Sequence, residues 1–453
     1  MSGTEATRTR PRTGDQLELT IDQLAHGGAG VARLDGYVVF VRGAVPGDRV
    51  RARVTKSKRS FAEADSVELL EPSPDRIEPV APHPGAPWQV LPYERQLSEK
   101  EDQVRDALER IGRFEAPPVE QIVPAVEPLH YRNKLEYSFG EDEQGQLVLG
   151  FHHPGRFDLI DDVTTDILAS ERVDEVREAV KAWCRAAGLP AWDRRNQDGL
   201  LRNLVVREGR RTGQVQARLV TSTGSIFQVA ELAAATPAES FLWTRVAGVA
   251  ETTRDGETEV VKGGAYLEEE LSGLRLRISP DAFFQTNTEM AERLYGSAIE
   301  LAGLSGRERV LDLFCGIGTI ALALALDAGE VWGVELVEEA VADAIENARL
   351  NGIDNVHFFA GDVRLAMRPL LEQSGKPDVV VVDPPRAGLS QKVVRRVLEA
   401  EAQRIVYVSC NPTTLAPNAR QIVDAGYELK TVRPVDMFPQ TPHIECVALL
   451  ERA

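Results

Sequence analysis

Residues 310–325 read VLDLFCGIGTIALALA. An apolar β-type run ends at Asp312–Leu313, a glycine-bearing turn follows, and an alanine- and leucine-rich helix starts near Thr319. Gly316 and Gly318 permit a tight turn and close approach of a ligand to the backbone. A lone G-x-G is weak evidence, because many strand-to-helix turns need one. Here Glu335 closes the next strand, 17 residues after Gly318, where a carboxylate can accept from both hydroxyls of a ribose. Ala321 stands where the dinucleotide fingerprint has its third glycine, a variant that motif tolerates, so the turn alone leaves a reductase open.

Outward from this turn, the chain after Ser279 alternates strands and helices. Strands are read in RVLDLF, EVWGVE, VHFFAGD, DVVVVD and RIVYVS, with helices starting near Thr319, Glu338, Val363, Gln391 and Thr413. Two last strands, ELKTVRPVDMF and IECVALLER, have no helix between them and predict an antiparallel hairpin. Residues 279–453 are therefore expected to form a doubly wound, Rossmann-like α/β domain. Residues 120–278 mix strand-like runs (KLEYSFG, LVLGFHH, LLRNLVVRE, VQARLVT, EVVKGGAYLEEEL) with a helix, SERVDEVREAVKAWCRAAG, and predict an α+β domain on one sheet. Five short β runs in 15–72, about ten residues apart, predict an OB-like barrel or another small β-barrel. Residues 73–119 read as a proline-rich linker and then a helix over Glu94–Gly112, with Leu97, Val104, Leu108 and Ile111 at helical spacing. Residues 1–14, polar and aperiodic, are expected to be a disordered arm.

At 453 residues and 43% apolar content the chain can build two or three cores. Its longest apolar stretch, Leu313–Leu326, is too short to span a bilayer. No secretory signal opens the sequence, and Cys184, Cys315, Cys410 and Cys446 show no C-x-x-C spacing, so a reduced cytoplasmic protein is expected. A four-cysteine metal site is disfavoured. A net charge of −18 argues against a broadly basic nucleic-acid binder, but residues 1–60 hold 11 Lys/Arg against 6 Asp/Glu. RNA binding through a local patch therefore stays open, and a monomer is the default.

Three further segments carry chemistry. In VVVVDPPRAGL, Asp383 ends a strand and two prolines fix the backbone at the sheet's carboxyl edge, a feature dehydrogenases do not need. The plainer reading is that the prolines stop a strand. In IVYVSCNPTTL, Cys410 follows a strand and precedes a helix, on the side where ligands bind in doubly wound sheets. Many cysteines are merely small buried hydrophobes, and Cys184 and Cys446 read that way; a helix N-terminus after Cys410 would instead favour its thiolate. In PHIECVALLER, Glu445 interrupts an apolar run, where an unneeded carboxylate would be costly unless it faced solvent at an edge. A thiolate matters for one acceptor class. Carbon 5 of uracil is barely nucleophilic until a thiolate adds at carbon 6, and a base must afterwards remove the carbon-5 proton. Cys410 and Glu445 suit those roles. Asp362, after the third strand, sits where a carboxylate could bind an adenine amine, though an exposed loop Asp fits equally.

The C-terminal half resembles the uracil-5 RNA methyltransferase family through SPDAFFQTN (Ser279–Asn287), LDLFCGIGT, GVE, DPPRAGL, VSCNPTTLA and the terminal HIE, in that order. The resemblance extends to an N-terminal TRAM domain and a central RNA-binding domain, and so covers nearly the whole chain. It implies a class I methyltransferase fold, S-adenosyl-L-methionine as cofactor, and tRNA or ribosomal RNA as substrate. By position, Gln285, Phe314, Thr319, Glu335, Asp362 and Asp383 would contact the cofactor. Cys410 would be the nucleophile, Glu445 the base, and Asp383 and Arg386 neighbours of the target uracil. Arg132, Asn133 and Lys134 match a segment near the RNA path, or form an ordinary polar loop. Many members hold an iron–sulfur cluster, but the matching stretch VAPHPGAPWQVLPYERQLSEK has no cysteine, so no cluster is expected and Pro84, Pro87 and Trp88 are expected to hold the loop by packing. RNA cytosine-5 methylation and a non-catalytic RNA-binding protein are the alternatives.

Overall fold

The computed structural model describes residues 10–453 apart from 154, 227 and 250–255. Most of the expected arm, 1–9, lies outside the described residues. Arg10 does not dangle: its guanidinium donates to the Ser57 hydroxyl and carbonyl at 2.8 and 2.6 Å.

The first domain contains β1 (Gln16–Thr20), β2 (Gln23–Leu24), β3 (Gly30–Leu34), β4 (Tyr37–Arg42), β5 (Arg49–Ser57) and β6 (Phe61–Glu71). Strand β5 shows why it folds: Val50, Ala52 and Val54 are buried while the arginines between them point outward. Six strands, not five, form one curved sheet in the order β1-β5-β6-β4-β3-β2, with no ladder among the described residues closing it into a barrel. Some of the basic residues here are neutralised. Arg49 pairs with Glu18 and Glu71, Arg51 with Glu68, and Lys56 with Glu63.

The linker leads into α1 (Tyr93–Asp106), followed by a wider helical turn at Ala107–Ile111. Val104 and Leu108 are buried as their spacing predicts, but Ile111 is exposed, and the helix also buries Gln96, Glu99, Lys100 and Gln103. In the preceding loop Trp88 is buried and Pro87 exposed. Hydrogen bonds do much of the holding: His83 Nε2 meets Asp166 at 3.0 Å, and Gln89 bonds the backbone of Val80 and Ala81.

The central domain comprises β7 (Lys134–Glu141), β8 (Leu147–His153), β9 (Arg156–Asp162), α2 (Glu171–Ala186), β10 (Leu201–Glu208), β11 (Val215–Ser222), α3 (Val229–Ala235), β12 (Ser240–Val246) and β13 (Glu257–Lys262). Its sheet runs β13-β12-β11-β10-β7-β8-β9, with α2 packed on one face. Strands β9 and β12 were not anticipated. EVVKGGAYLEEEL, read as one strand, splits between β13 and β14 (Leu267–Leu271), which forms a hairpin with the unanticipated β15 (Leu274–Ile278) and buries its leucines in the C-terminal domain's core.

That last domain follows as α4 (Thr288–Ala302), β16 (Arg309–Leu313), α5 (Thr319–Ala325), β17 (Glu330–Glu335), α6 (Glu338–Asn351), β18 (Val356–Ala360), α7 (Val363–Ser374), β19 (Val379–Val382), α8 (Gln391–Glu399), β20 (Arg404–Ser409), α9 (Pro412–Asp424), β21 (Tyr427–Val435) and β22 (Glu445–Arg452). The order is β18-β17-β16-β19-β20-β22-β21, with the first five strands parallel and β22 antiparallel to both neighbours. Core clusters lie on both faces: α1, α7, α8 and α9 cover one, and α4, α5 and α6 the other. No described helix is long and apolar enough to cross a membrane.

Candidate active site

Strand parity places the chemistry. In β19, Val379 and Val381 face the α4 side, so Asp383, next in that alternation, points there too. The same count from Val310 assigns Asp312 to that face, from Val408 assigns Cys410, and from Val447 assigns Glu445. Register completes the arrangement. Ser409 pairs with Cys446 across the antiparallel ladder, so Cys410 and Glu445 are the next opposed positions at the carboxyl edge of β20. Glu445 is the first residue of β22 and not mid-strand, because Asp436–Ile444 is loop.

Crowding of acids sets the electrostatics. Glu445 is 4% exposed, and burial, reinforced by the Asp383 carboxylate, raises it well above the usual range while Arg386 pulls it down. Asp383 keeps a flank open to the cleft, yet burial pushes it up to about 7. Cys410 is half-buried. Burial, then the charges of Glu445 and Asp383, push its thiol up to about 11 against Arg386. The following helix, capped by Asn411, was expected to favour the thiolate; desolvation and two carboxylates outweigh it.

Beside these groups lies the glycine turn. Gly318 caps α5 at φ 86°, and a Cβ there would sit 3.0 Å from the Phe358 ring, so only glycine fits. Space over Gly316 is open, and Phe314 adopts φ 68° as the chain leaves β16. Thr319 opens the helix. Glu335 ends β17, where its carboxylate accepts from the backbone N–H of Gly316, Leu336 and Val337 at 3.1, 2.6 and 2.9 Å. Asp362 caps α7 through Arg364 N and is ion-paired with the Arg364 side chain, which lowers it to about 2. Two exposed leucines, Leu336 and Leu365, stand beside these acids as an apolar surface. Gln285 is buried before α4, its carbonyl accepting from Asn133 Nδ2 at 2.9 Å.

Two residues of this site escaped sequence reasoning. Asp312 is 0% exposed, and neither carboxylate oxygen has a hydrogen-bond partner of ordinary length. Tyr295, buried on α4, lies against Thr319 and Gln285 and near Asp383 and Glu445. An orphaned buried acid, diol-ready Glu335, an open glycine turn and flanking leucines fit a nucleoside bearing a positive centre.

The three residues read as near an RNA path diverge. Arg132 is half-buried near His443. Lys134 pairs with Glu136. Asn133 is buried and ties the central domain to Gln285 and Thr288. A cavity of about 810 Å³ lies elsewhere, on the central sheet, lined by Ser138, His152, Trp192, Arg195, Arg202 and Asn203 among others.

Comparison with known proteins sharpens these features. The family model described as tRNA (Uracil-5-)-methyltransferase matches residues 249–453, and that of the TRAM domain matches 10–67. An uncharacterized RNA methyltransferase of Chlorobaculum tepidum is 41% identical over 477 aligned residues, spanning 99% of each chain. Another, from Halalkalibacterium halodurans, is 40% identical over 96% of this chain and 97% of its own. The crystal structure of Pyrococcus abyssi tRNA (uracil-54, C5)-methyltransferase in complex with S-adenosyl-L-homocysteine aligns with TM-score 0.78 and 29% identity, covering 96% of this chain and 100% of that one.

Proposed function

Because the chain belongs to the tRNA (uracil-5-)-methyltransferase family and is an RNA methyltransferase, we propose that it methylates carbon 5 of a uridine in tRNA or ribosomal RNA through a covalent adduct at Cys410. The opposition of Cys410 and Glu445 set by the Ser409–Cys446 register carries this reading.

S-Adenosylmethionine, when bound, supplies an electrophilic methyl group on a sulfonium. Asp312, Glu335 and the Gly316–Gly318 turn would hold its amino-acid and ribose parts, Leu336 and Leu365 its ring, with Gln285, Phe314, Thr319, Asp362 and Asp383 around them. The protein's own residues do the rest. Cys410 loses its proton to solvent across the part-open pocket, and Sγ bonds to carbon 6 of the uracil. The displaced C5=C6 pair becomes an enolate whose charge Arg386 offsets. Once carbon 5 carries both methyl and hydrogen, the Glu445 carboxylate removes the proton. The C–H pair then reforms the double bond, the C6–S bond breaks, and the Cys410 thiolate is released. Once Glu445 has given its own proton to solvent, its raised pKa makes it a stronger base than an exposed glutamate.

RNA reaches this pocket along the open face of the central sheet. Trp192, with the Arg202 guanidinium 4.3 Å from its ring centroid, offers a stacking surface there, and Arg132, which faces His443, and Lys134 are further proposed RNA contacts.

Incubation with S-adenosylmethionine and a 5-fluorouridine-substituted transcript tests the chemistry, because fluorine at carbon 5 cannot leave as a proton does. A denaturation-stable adduct at Cys410, absent in Cys410→Ala, is expected; no adduct with folded protein would overturn the proposal. Mapping 5-methyluridine and 5-methylcytidine in RNA from a strain lacking the gene separates uracil from cytosine and identifies the RNA.

A further inference from the structure

The loop Asp436–Ile444, which delivers Glu445, is held chiefly from outside its own hairpin. Four consecutive carbonyls each meet a different element. Met437 O accepts from Asn287 Nδ2 at 2.9 Å, and Phe438 O from Lys100 Nζ at 3.0 Å and from the nearby Thr441 hydroxyl. Pro439 O accepts from the Tyr131 hydroxyl at 3.1 Å, and Gln440 O from Trp88 N at 2.9 Å. Gln96 grips Gln440 twice, donating to its side-chain oxygen at 2.8 Å and accepting from its backbone N–H at 2.9 Å. Gln440 sits at φ 65°, a left-handed conformation unfavourable for a residue with a Cβ, which these bonds keep in place.

At the loop's entry, Lys100 Nζ meets Asp436 Oδ1 at 2.5 Å, and the Tyr93 hydroxyl donates to Asp436 Oδ2 at 2.9 Å. Both ends of this ion pair are 0% exposed. Such a pair contributes little net stability, but it is directional and fixes where the two segments meet. At the exit, no side chain among the described residues hydrogen-bonds the Glu445 carboxyl. Its position is inherited from the backbone.

We propose that Lys100, Gln96 and Tyr131 are positioning residues for Glu445, so that the linker helix and the central domain control removal of the carbon-5 proton and release of RNA from Cys410. This rests on the methylation reading above. A base must be within hydrogen-bond reach of the proton it takes, whereas thiol addition and methyl arrival do not use Glu445. Loosening the loop therefore slows the last step selectively. Displacements of about 1 Å can cost on the order of 100-fold in rate.

Two full-length variants test it. In Lys100→Met with Asp436→Asn, both buried charges go together, so neither is left unpaired, yet Phe438 O loses its lysine donor. Tyr131→Phe removes only the hydroxyl that reaches Pro439 O and leaves the ring in place. Each is mixed with S-adenosylmethionine and undermethylated total RNA from a strain lacking the gene, and the denaturation-stable protein–RNA adduct is followed with turnover. The expected result is adduct formation within about 3-fold of the wild type but release slowed about 10- to 100-fold, so that a methylated adduct at Cys410 accumulates on ordinary uridine. Formation and release falling together, or neither changing, would overturn the positioning role. Absence of the 5-fluorouridine adduct in the wild type would instead sink the covalent reading on which it rests.

Discussion

At the scale of single residues, the site places several acids where water is scarce and lets Arg386 offset them. Glu445 is the one whose loss should divide the reaction. Glu445→Gln keeps shape but cannot take a proton, so turnover should fall about 10²- to 10⁴-fold while adduct formation persists. Gel analysis of methylated adduct on ordinary RNA checks this, and a parallel loss of both would refute it. Asp383 carries a pH signature. Its folded-state value of about 7 lies above that of an unfolded carboxylate. The protonated form's contribution to stability is therefore complete below about pH 4 and lost as pH rises through 7. Asp383→Asn should be nearly neutral at pH 4 and should stabilise the C-terminal domain above pH 8, by about 2 kcal/mol after discounting the open flank. Denaturant titrations at the two pH values measure the difference, and an equal effect at both would contradict the assignment.

At the scale of elements, the turn between β2 and β3 brings the N-terminal domain to the active site. Gly27 and Gly28 both sit at φ 88°, but a Cβ on Gly27 meets open space, while one on Gly28 would lie 2.8 Å from Pro442 and 3.2 Å from Trp88 Nε1. Gly27→Val therefore samples backbone strain alone, about 1–2 kcal/mol. Gly28→Val adds the clash, about 1–3 kcal/mol more, and should also disturb the Glu445 loop. Thermal unfolding and adduct release in the pair separate the two effects; indistinguishable variants would deny the docking. Elements also mark what a sequence can disclose. Helices beginning at Glu338, Val363 and Gln391 were legible because caps and first turns are local, as Asp362 and Ser390 show. Cys410 and Glu445 stood out because a nucleophile and an acid stand directly against apolar strand runs. Strand β9, RFDLIDD, was not legible, since charges fall on both its faces and, as the edge strand of a hairpin with β8, it shows no sustained apolar alternation. The face of α1 misled for a similar reason. Its apolar spacing located the helix, but Lys100 and Gln96 are buried by partners 336 and 344 residues away. Asp312 stayed hidden because nothing local distinguishes an orphaned acid from a paired one.

At the scale of the whole molecule, an RNA enzyme with net charge −18 must bind a polyanion without a broadly basic surface. On strand β5, Arg49, Arg51 and Lys56 are tied to Glu18, Glu63, Glu68 and Glu71, which leaves Arg53 as that strand's cation without an ion pair among the described residues. Affinity must then come less from phosphate neutralisation and more from contacts with splayed bases, which aromatic and guanidinium planes provide. The central-sheet cavity has an aromatic plane in Trp192, backed by the buried Arg202 guanidinium, on the face whose other end grips the catalytic domain through Arg207 and Arg218. Trp192→Ala should weaken RNA binding by about 1–3 kcal/mol, on the order of 5- to 150-fold, if one base stacks there. Adduct formation at saturating RNA should be unchanged, because the pocket holding Cys410 is untouched. Salt provides the second arm. If stacking supplies most of the affinity, log K against log salt should be shallow, about −2 to −3 for three or four phosphates on a single strand, and Trp192→Ala should shift that line without changing its slope. A steep slope, or one that Trp192→Ala flattens, would mean that charge and not stacking brings RNA to this protein.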